Sequence, residues 1–128
     1  MNQYENVLKY KDYFEDLKQD DVVTWRKQGD QGGAYGLPFP DYHTKFKEFI
    51  REVKNSNLLH KDYINLLEDS EFDINDINQS IEEADFENLR AILTLLIRRE
   101  RFGDGNWASS VESGDFYYVL VRLEELID

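Results

Sequence analysis

The chain has 128 residues, of which 41% are hydrophobic, no cysteine and a formal net charge of −12. This length is typical of one domain with one core, and the lack of cysteine excludes disulfides, thiolate nucleophiles and thiolate metal sites. The negative charge disfavours non-specific binding to nucleic acid, and no run of about 20 apolar residues is present to span a membrane.

The N-terminal segment of the sequence carries charged residues throughout, which argues against a secretory signal peptide. The chain contains no internal repeat, no low-complexity tract and no linker that would divide it. We therefore expect a cytoplasmic protein in which residues 1–128 form a single acidic domain.

In the first half of the chain, segments with helical spacing of apolar residues alternate with segments that are not expected to be helical. Apolar residues at helical spacing predict one helix over roughly Gln3–Leu17, and Val22–Trp25 is expected to be a short strand or an extended segment. The segment Gly29–Pro40 holds four of the seven glycines and both prolines, which predicts a loop. An apolar stripe over Tyr42–Val53 then predicts a helix with its basic residues on other faces.

The second half of the chain is predicted to be helical. Two short helices are expected near Tyr63–Leu67 and Asp73–Ile81. The clearest pattern begins at Asp85, a good N-cap, and places apolar residues on one face as far as Ile97, so Asp85–Phe102 should form a central, largely buried helix.

Glycines at positions 103 and 105 are expected to end the central helix. A final helix is then predicted from about Ser113 or Asp115, with its apolar residues on one face. Together these patterns predict an all-α or nearly all-α domain of five to six helices with one loop rich in glycine and proline.

Glu100 is the most informative charged residue, because helical spacing places it in line with the apolar face of the central helix. Burying an unpaired carboxylate costs several kcal/mol, so this side chain should be paired, protonated or open to a cavity. The nearest candidate partners are Arg98, Arg101 and the backbone amides of the following loop. An ion pair that ties the helix end to this loop is the simpler interpretation.

The segment Arg98–Ala108 contains three arginines, two acids, two aromatics and two glycines, and this density also suits a binding site for an anion. Arginine offers planar paired donors, and glycine lets a ligand approach backbone amides. Arg98 and Arg101 would hold the anionic group, and Glu100 would orient Arg101. No glycine motif of a known nucleotide site is present. The predicted ligand-binding residues are Arg98, Glu100, Arg101, Phe102, Asp104, Gly105, Trp107, Tyr35, Phe39 and Tyr42.

The aromatic residues of this set suggest a ligand that contains a ring. Tyr35, Phe39, Tyr42 or Trp107 would stack on it, and a nucleotide-type signal would use both the aromatics and the arginines. The simpler alternative is that the loop aromatics anchor their own segment on the core. In either case Gly29–Asp41 should lie over the C-terminal end of the central helix.

An acidic run between Glu68 and Glu87 supports a second hypothesis. It holds nine acidic residues and no basic one, which is typical of a solvated face but also of a nucleic-acid mimic that inhibits or regulates a nucleic-acid-binding enzyme. Isoleucines interleave the run at helical spacing, so one side of it must pack, and the solvated face is favoured. The partner-binding residues of this alternative are Glu68, Asp69, Glu71, Asp73, Asp76, Glu82 and Glu83.

Catalytic motifs are weak in this sequence. His43 and His60, the only histidines, do not have a zinc-binding spacing, and no serine lies in a G-x-S-x-G turn. A hydrolase that acts through Glu100 and Asp104 is the remaining catalytic alternative. We therefore favour a non-enzymatic protein with no metal or cofactor, whose partner is a small anionic ligand or a protein and not nucleic acid or membrane.

Two segments carry a resemblance to a known family. The first is Leu93–Ala108 with its Arg-x-Glu-Arg-Phe-x-Asp-Gly core, and the second is Phe39–Tyr42 followed by Phe46 and Phe49. In these segments the chain resembles an uncharacterised bacterial family, the domain of unknown function 6508. The resemblance implies that the two segments face one another, and it brings no activity with it. The implied signature is Arg98, Glu100, Arg101, Phe102, Asp104 and Gly105.

Overall fold

The computed structural model describes residues 4–27, 38–70 and 72–127, and most of them are helical. The helices and strands, in chain order, are α1 Glu5–Leu8, α2 Lys11–Phe14, β1 Val23–Lys27, β2 Pro38–Tyr42, α3 Thr44–Asn55, α4 Tyr63–Asp69, α5 Ile77–Glu83, α6 Phe86–Arg98, α7 Asn106–Glu112 and α8 Asp115–Ile127. Short 3-10 helices occur at Gln19–Asp21, Ile74–Asp76 and Arg99–Phe102. The expectation of a largely helical domain is confirmed, with a small sheet added to it.

The N-terminal helix is interrupted, whereas the sequence predicted one continuous helix. Between α1 and α2 the backbone forms a turn with 3-10 hydrogen bonding. The Tyr10 amide donates a hydrogen bond of 3.1 Å to the Val7 carbonyl, three residues earlier in the chain. Tyr10 and Phe14 are both buried, and their ring centroids lie 5.4 and 4.7 Å from that of Phe49. Packing of both rings against α3 therefore accompanies the break, and tertiary contacts of this kind override local helix propensity.

The β-hairpin is the main departure from an all-α fold. Strand β2 lies in the segment that the sequence predicted to be a loop, and it pairs antiparallel with β1, with Val23 opposite Tyr42 and Trp25 opposite Pro40. A two-stranded sheet has an outward edge on each strand, where the missing N–H of proline removes no ladder hydrogen bond. Of the segment Val22–Trp25, expected to be a strand or extended, residues 23–25 belong to β1 and Val22 precedes it.

Helices α3 and α6 form the core as their apolar patterns predict. The four apolar residues that α3 buries include Phe46 and Phe49, and both contact the ring of Phe116 in α8, at 5.8 and 5.7 Å between centroids. Aromatic contacts of this geometry contribute about 0.5–1.5 kcal/mol each beyond the area they bury.

Helix α6 begins as predicted, because the Asp85 side chain accepts a hydrogen bond of 2.8 Å from the Asn88 amide. It ends earlier than predicted, since the α-helix stops at Arg98 and Arg99–Phe102 forms a 3-10 turn. A 3-10 helix has about three residues per turn, so the side chains after Arg98 leave the directions that an α-helical wheel gives them. This change of direction determines where each arginine points.

The last two helices cover the core. Helix α8 matches its prediction, whereas α7 was not foreseen because its buried residues are mostly small, namely Ala108, Ser110 and Val111. Gly114 joins the two helices with φ of 84°. Within the described parts of the chain, no helix combines the length and the apolar character needed to cross a membrane.

Candidate functional site

Glu100 joins three parts of the chain through its carboxylate. Oε1 accepts hydrogen bonds from the Tyr42 hydroxyl at 2.9 Å and from the Trp107 amide at 2.8 Å. Oε2 accepts a hydrogen bond of 3.0 Å from the Gly105 amide. The tyrosine hydroxyl in turn accepts one from the Ala108 amide at 3.3 Å. We call Tyr42, Glu100 and the amides of residues 105, 107 and 108 the corner.

The hydrogen bonds of the corner show how the Glu100 carboxylate is paired. Its partners are the backbone amides expected from the sequence together with Tyr42, and in the described part of the chain it forms no salt bridge with an arginine. Glu100 therefore does not orient Arg101 through an ion pair. The contact with Tyr42 also brings together the two segments that the family resemblance predicts to face one another.

Burial gives the Tyr42 hydroxyl a fixed role as a donor. Desolvation raises the pKa of Tyr42 above its ordinary value of 10.0, and the hydrogen bond to Glu100 and its charge raise it further. A tyrosine with a raised pKa keeps its proton over the whole physiological range, so it continues to donate to the carboxylate.

Other contacts fix the same corner from both sides. The Trp107 indole donates a hydrogen bond of 2.9 Å to the Ile97 carbonyl, and the Asn106 amide group donates one of 2.9 Å to the Arg99 carbonyl. Gly105 has φ of 92°, and a Cβ placed there would lie 2.9 Å from the ring of Trp25 in β1. The hairpin thus packs directly against the turn that follows α6.

The remaining residues of the predicted ligand site are dispersed. Arg98 is half-buried with its guanidinium 5.8 Å from the ring centroid of Tyr63 in α4. Arg101 and Phe102 are exposed, Phe102 by 79%, and Arg101 forms no hydrogen bond or salt bridge with a described residue.

The predicted aromatic residues differ in their exposure. Phe39 is 39% exposed, whereas Tyr42 is 8% exposed and belongs to the core. Trp107 is half-buried and Asp104 is exposed. Tyr35 lies outside the described residues, so the structure does not place it.

A cleft of about 340 Å³ lies next to the corner, between the 3-10 turn Ile74–Asp76, the start of α5, helix α7 and the start of α8. Its lining residues are Ile74, Asn75, Asp76, Ile77, Asn78, Arg99, Ser109, Ser110, Ser113 and Asp115. Arg99 is the cation of this set, and serines of α7 provide hydroxyl groups.

Arg99 and Asp115 bring opposite charges to this cleft without forming a salt bridge, among the described residues, with each other. The guanidinium of Arg99 makes one long hydrogen bond, 3.5 Å, to the Ser110 hydroxyl. Asp115 is only 4% exposed. Burial raises the pKa of Asp115, while the Ser113 hydroxyl and the Arg99 charge act in the opposite direction.

Asn78 adds an acceptor to the same cleft. Its Oδ1 is buried and has no hydrogen-bond partner among the described residues, while its Nδ2 donates to the Ser113 carbonyl at 3.5 Å. Leaving a buried acceptor unsatisfied costs about 1–3 kcal/mol.

Sequence reasoning missed Arg99, Asp115 and Asn78 as site residues. Arg99 lies between Arg98 and Arg101, which the sequence analysis assigned to the site. The 3-10 turn makes the three side chains point in different directions, and the spacing of apolar residues in the sequence does not indicate such a turn. Asp115 was interpreted only as the possible start of a helix. The one usable signal was Asp76, which was assigned to the acidic face and lines the cleft as well.

The acidic face is exposed as predicted. Glu71 lies outside the described residues, and none of the other six predicted partner-binding residues takes part in a salt bridge within the described chain. These six exposed residues are Glu68, Asp69, Asp73, Asp76, Glu82 and Glu83. The described residues also contain no group of three or more His, Cys, Asp or Glu side chains that could hold a metal ion.

Comparison with known proteins identifies the family of the chain. No curated protein matches it significantly, and no solved structure does. A family model described as a family of unknown function, DUF6508, matches residues 1–128. The match therefore covers the entire sequence, beyond the two segments that carry the resemblance. The chain belongs to the DUF6508 family.

Proposed function

We propose that this protein is a non-enzymatic binding protein that holds a small anionic ligand of the nucleotide type in the cleft lined by Arg99 and Asp115. One observation carries the proposal: a guanidinium and a buried carboxyl line the same cleft and, among the described residues, do not neutralise each other in a salt bridge. A ligand that has both an anionic group and N–H donors would satisfy both side chains at once.

Arg99 is the residue that we assign to the anionic group. Its guanidinium has a planar set of donors that suits phosphate or carboxylate, and most of these donors are unused in the described structure. The Asn106 amide group holds the Arg99 carbonyl, so the corner fixes the backbone from which this side chain extends. A fixed backbone reduces the conformational entropy that this segment loses when a ligand binds.

The size and composition of the cleft suit a small ligand. Its volume of about 340 Å³ lies at the lower end of the range for small-molecule sites, which is about 300–1,000 Å³. The lining offers serine hydroxyls and amide groups as further partners, and Ile74 and Ile77 as apolar contacts. Among the lining residues no histidine lies beside a serine to activate it, which favours binding over nucleophilic hydrolysis.

A thermal-shift screen against mononucleotides, cyclic nucleotides and inorganic phosphate tests this proposal. A ligand that binds the folded state raises the melting temperature, by an amount that corresponds to about 2.7 kcal/mol at one hundred times its Kd. We expect a nucleotide to raise the Tm of the wild type and of Arg101→Gln, whose side chain is exposed, but not of Arg99→Gln.

The opposite pattern, with the shift lost in Arg101→Gln and kept in Arg99→Gln, would return the site to the segment that the sequence indicated. If no compound raises the Tm of the wild type, the proposal fails. The two variants form a matched pair because each removes one arginine charge from the same 3-10 turn.

The acidic face supports a second candidate function, an inhibitor or regulator of a nucleic-acid-binding enzyme. Six exposed carboxylates without salt bridges in the described chain would attract a cationic surface over a long range. The test is a double charge reversal, Glu82→Lys with Glu83→Lys. The wild type should inhibit a nucleic-acid-binding enzyme that it retains in a pull-down, and the variant should not. Equal inhibition by both proteins would exclude this face.

A further inference from the structure

Two of the residues that line the cleft together with Arg99 carry buried acceptor atoms. Asn78 Oδ1 is buried without a partner in the described structure, and the Asp115 carboxyl is almost completely buried. Ser113 lies beside both, because its carbonyl accepts a hydrogen bond of 3.5 Å from the Asn78 amide group and it precedes Asp115 by two residues, while its hydroxyl donates to the Ser110 carbonyl at 3.3 Å.

Asp115 is the carboxylate of the cleft that a ligand can use. Asp76 also lines the cleft, but it is exposed and its Oδ1 caps α5 by accepting a hydrogen bond from the Gln79 amide at 3.3 Å. The Asp115 carboxyl accepts no such hydrogen bond from a backbone amide in the described chain, and the Ser113 hydroxyl donates to the Ser110 carbonyl. A carboxylate has lone pairs for about four hydrogen bonds, so Asp115 retains capacity for two parallel N–H donors.

Few chemical groups present two adjacent N–H donors in one plane. The amidine-type edge of guanine does so through N1–H and the 2-amino group, and a guanidinium group does so as well. Adenine and cytosine place an acceptor nitrogen beside their amino group, and uracil places a single N–H between two carbonyls. Each of these edges would set a lone pair against the carboxylate, and this repulsion discriminates against them.

We propose that the base recognised in this cleft is guanine, with N1–H and the 2-amino group donating to Asp115. The phosphate lies at Arg99. This inference rests on the proposed function, and it adds the identity of the base to the nucleotide class. A second source of the same chemistry is a guanidino compound with an anionic group, such as free arginine.

Isothermal titration calorimetry of the purified full chain separates these cases. The titrants are GMP, IMP, AMP, XMP, arginine and inorganic phosphate, all at one ionic strength. IMP differs from GMP only in the 2-amino group, whose hydrogen bonds to a charged acceptor correspond to at least about a ten-fold change in Kd. We expect GMP to bind at least that much more tightly than IMP, AMP or XMP, and more tightly than arginine.

Asp115→Asn provides a test that does not depend on loss of binding. The carboxamide replaces one acceptor oxygen with an N–H donor, which suits the C2 carbonyl of xanthine and opposes the 2-amino group of guanine. We expect this variant to bind XMP more tightly than GMP, with its folding checked by circular dichroism. A variant that keeps the preference for GMP would overturn the assignment of Asp115.

The other outcomes identify which proposal fails. Similar binding of GMP, IMP and AMP, abolished by Arg99→Gln, would overturn guanine recognition and leave nucleotide binding intact. Tight binding of arginine without GMP would overturn both the base and the nucleotide class. If none of the six titrants binds, both the guanine assignment and the proposed function are wrong.

Discussion

The Tyr42 hydroxyl and the Glu100 carboxylate join the hairpin to the end of the central helix through a hydrogen bond of 2.9 Å. The same carboxylate accepts hydrogen bonds from the Gly105 and Trp107 amides, so it also fixes the start of α7. Arg99 is adjacent to this glutamate, and α7 carries serines that line the cleft. One half-buried acid thus positions two walls of the candidate site.

Tyr42→Phe should destabilise the protein by about 2 kcal/mol. The change removes the donor to a charged acceptor and leaves the Ala108 amide without its partner, and hydrogen bonds to charged groups contribute about 1.5–3 kcal/mol. Urea unfolding measures the difference. Tyr118→Phe is the control, because Tyr118 is 41% exposed and its free energy of unfolding should change by less than about 0.5 kcal/mol. Equal effects of the two substitutions would contradict the role of Tyr42.

Glu100→Gln should also destabilise the fold by about 2 kcal/mol, because the amide turns one acceptor into a donor that faces other donors. Glu112→Gln, at an exposed position, provides the matched control. In a double-mutant cycle with Tyr42→Phe, the two losses should be coupled by about 0.5–3 kcal/mol. Simple additivity would mean that the two side chains do not act together.

Gly105→Ala should be far more harmful than Gly103→Ala. Gly105 has φ of 92°, and the methyl group of an alanine there would lie 2.9 Å from the Trp25 ring. Gly103 is instead extended, with φ of −178°, and the same methyl group would lie 3.1 Å from the Asn106 side-chain amide, which can shift by a few tenths of an ångström. The left-handed conformation alone costs an alanine about 1–2 kcal/mol. Unfolding curves of both variants would show the difference, and similar midpoints would show that the turn tolerates a side chain.

Asp115→Asn should increase the free energy of unfolding at pH 7. Burial raises the pKa of Asp115 above 3.8, so the folded state binds this proton more tightly than the unfolded state does. The corresponding stabilisation is present below the unfolded pKa and is lost as the pH rises through the folded pKa. The neutral variant avoids that loss, so its advantage over the wild type should shrink as the pH falls towards about 4.

Urea titrations at several pH values between about 4 and 7 measure this advantage. Asp104→Asn, at an exposed position outside the cleft, is the matched substitution for comparison. If Asp115→Asn is less stable than the wild type at pH 7, the carboxylate contributes to folding and its burial needs no ligand to explain it. The expected gain in stability is typical of residues that are kept for function.

The sequence predicted those parts of the fold whose patterns repeat along one element. Helices α3 and α6 have long apolar stripes, and these determine which face is buried. Strand β2 was missed because its prolines and the glycines before it are typical of a loop, and only pairing with β1 makes it a strand. Helix α7 was missed because small residues produce a weak apolar signal.

The candidate site was predictable only in part. The buried direction of Glu100 follows from helical spacing, and its need for partners follows from the cost of an unpaired charge. Tyr42 as a partner lies 58 residues away, and no local pattern encodes that contact. The choice of Arg99 rather than Arg98 or Arg101 depends on the 3-10 turn and on the position of α5, which are properties of the folded chain.

The corner also has a kinetic consequence. The amides of Gly105, Trp107 and Ala108 all depend on Glu100 or Tyr42, so they should exchange with solvent deuterium through one shared opening event. That event would break the hydrogen bonds that hold the start of α7, and it would also displace Ser109 and Ser110, which line the cleft. The frequency of this opening would then set an upper limit on the residence time of any ligand that the cleft encloses.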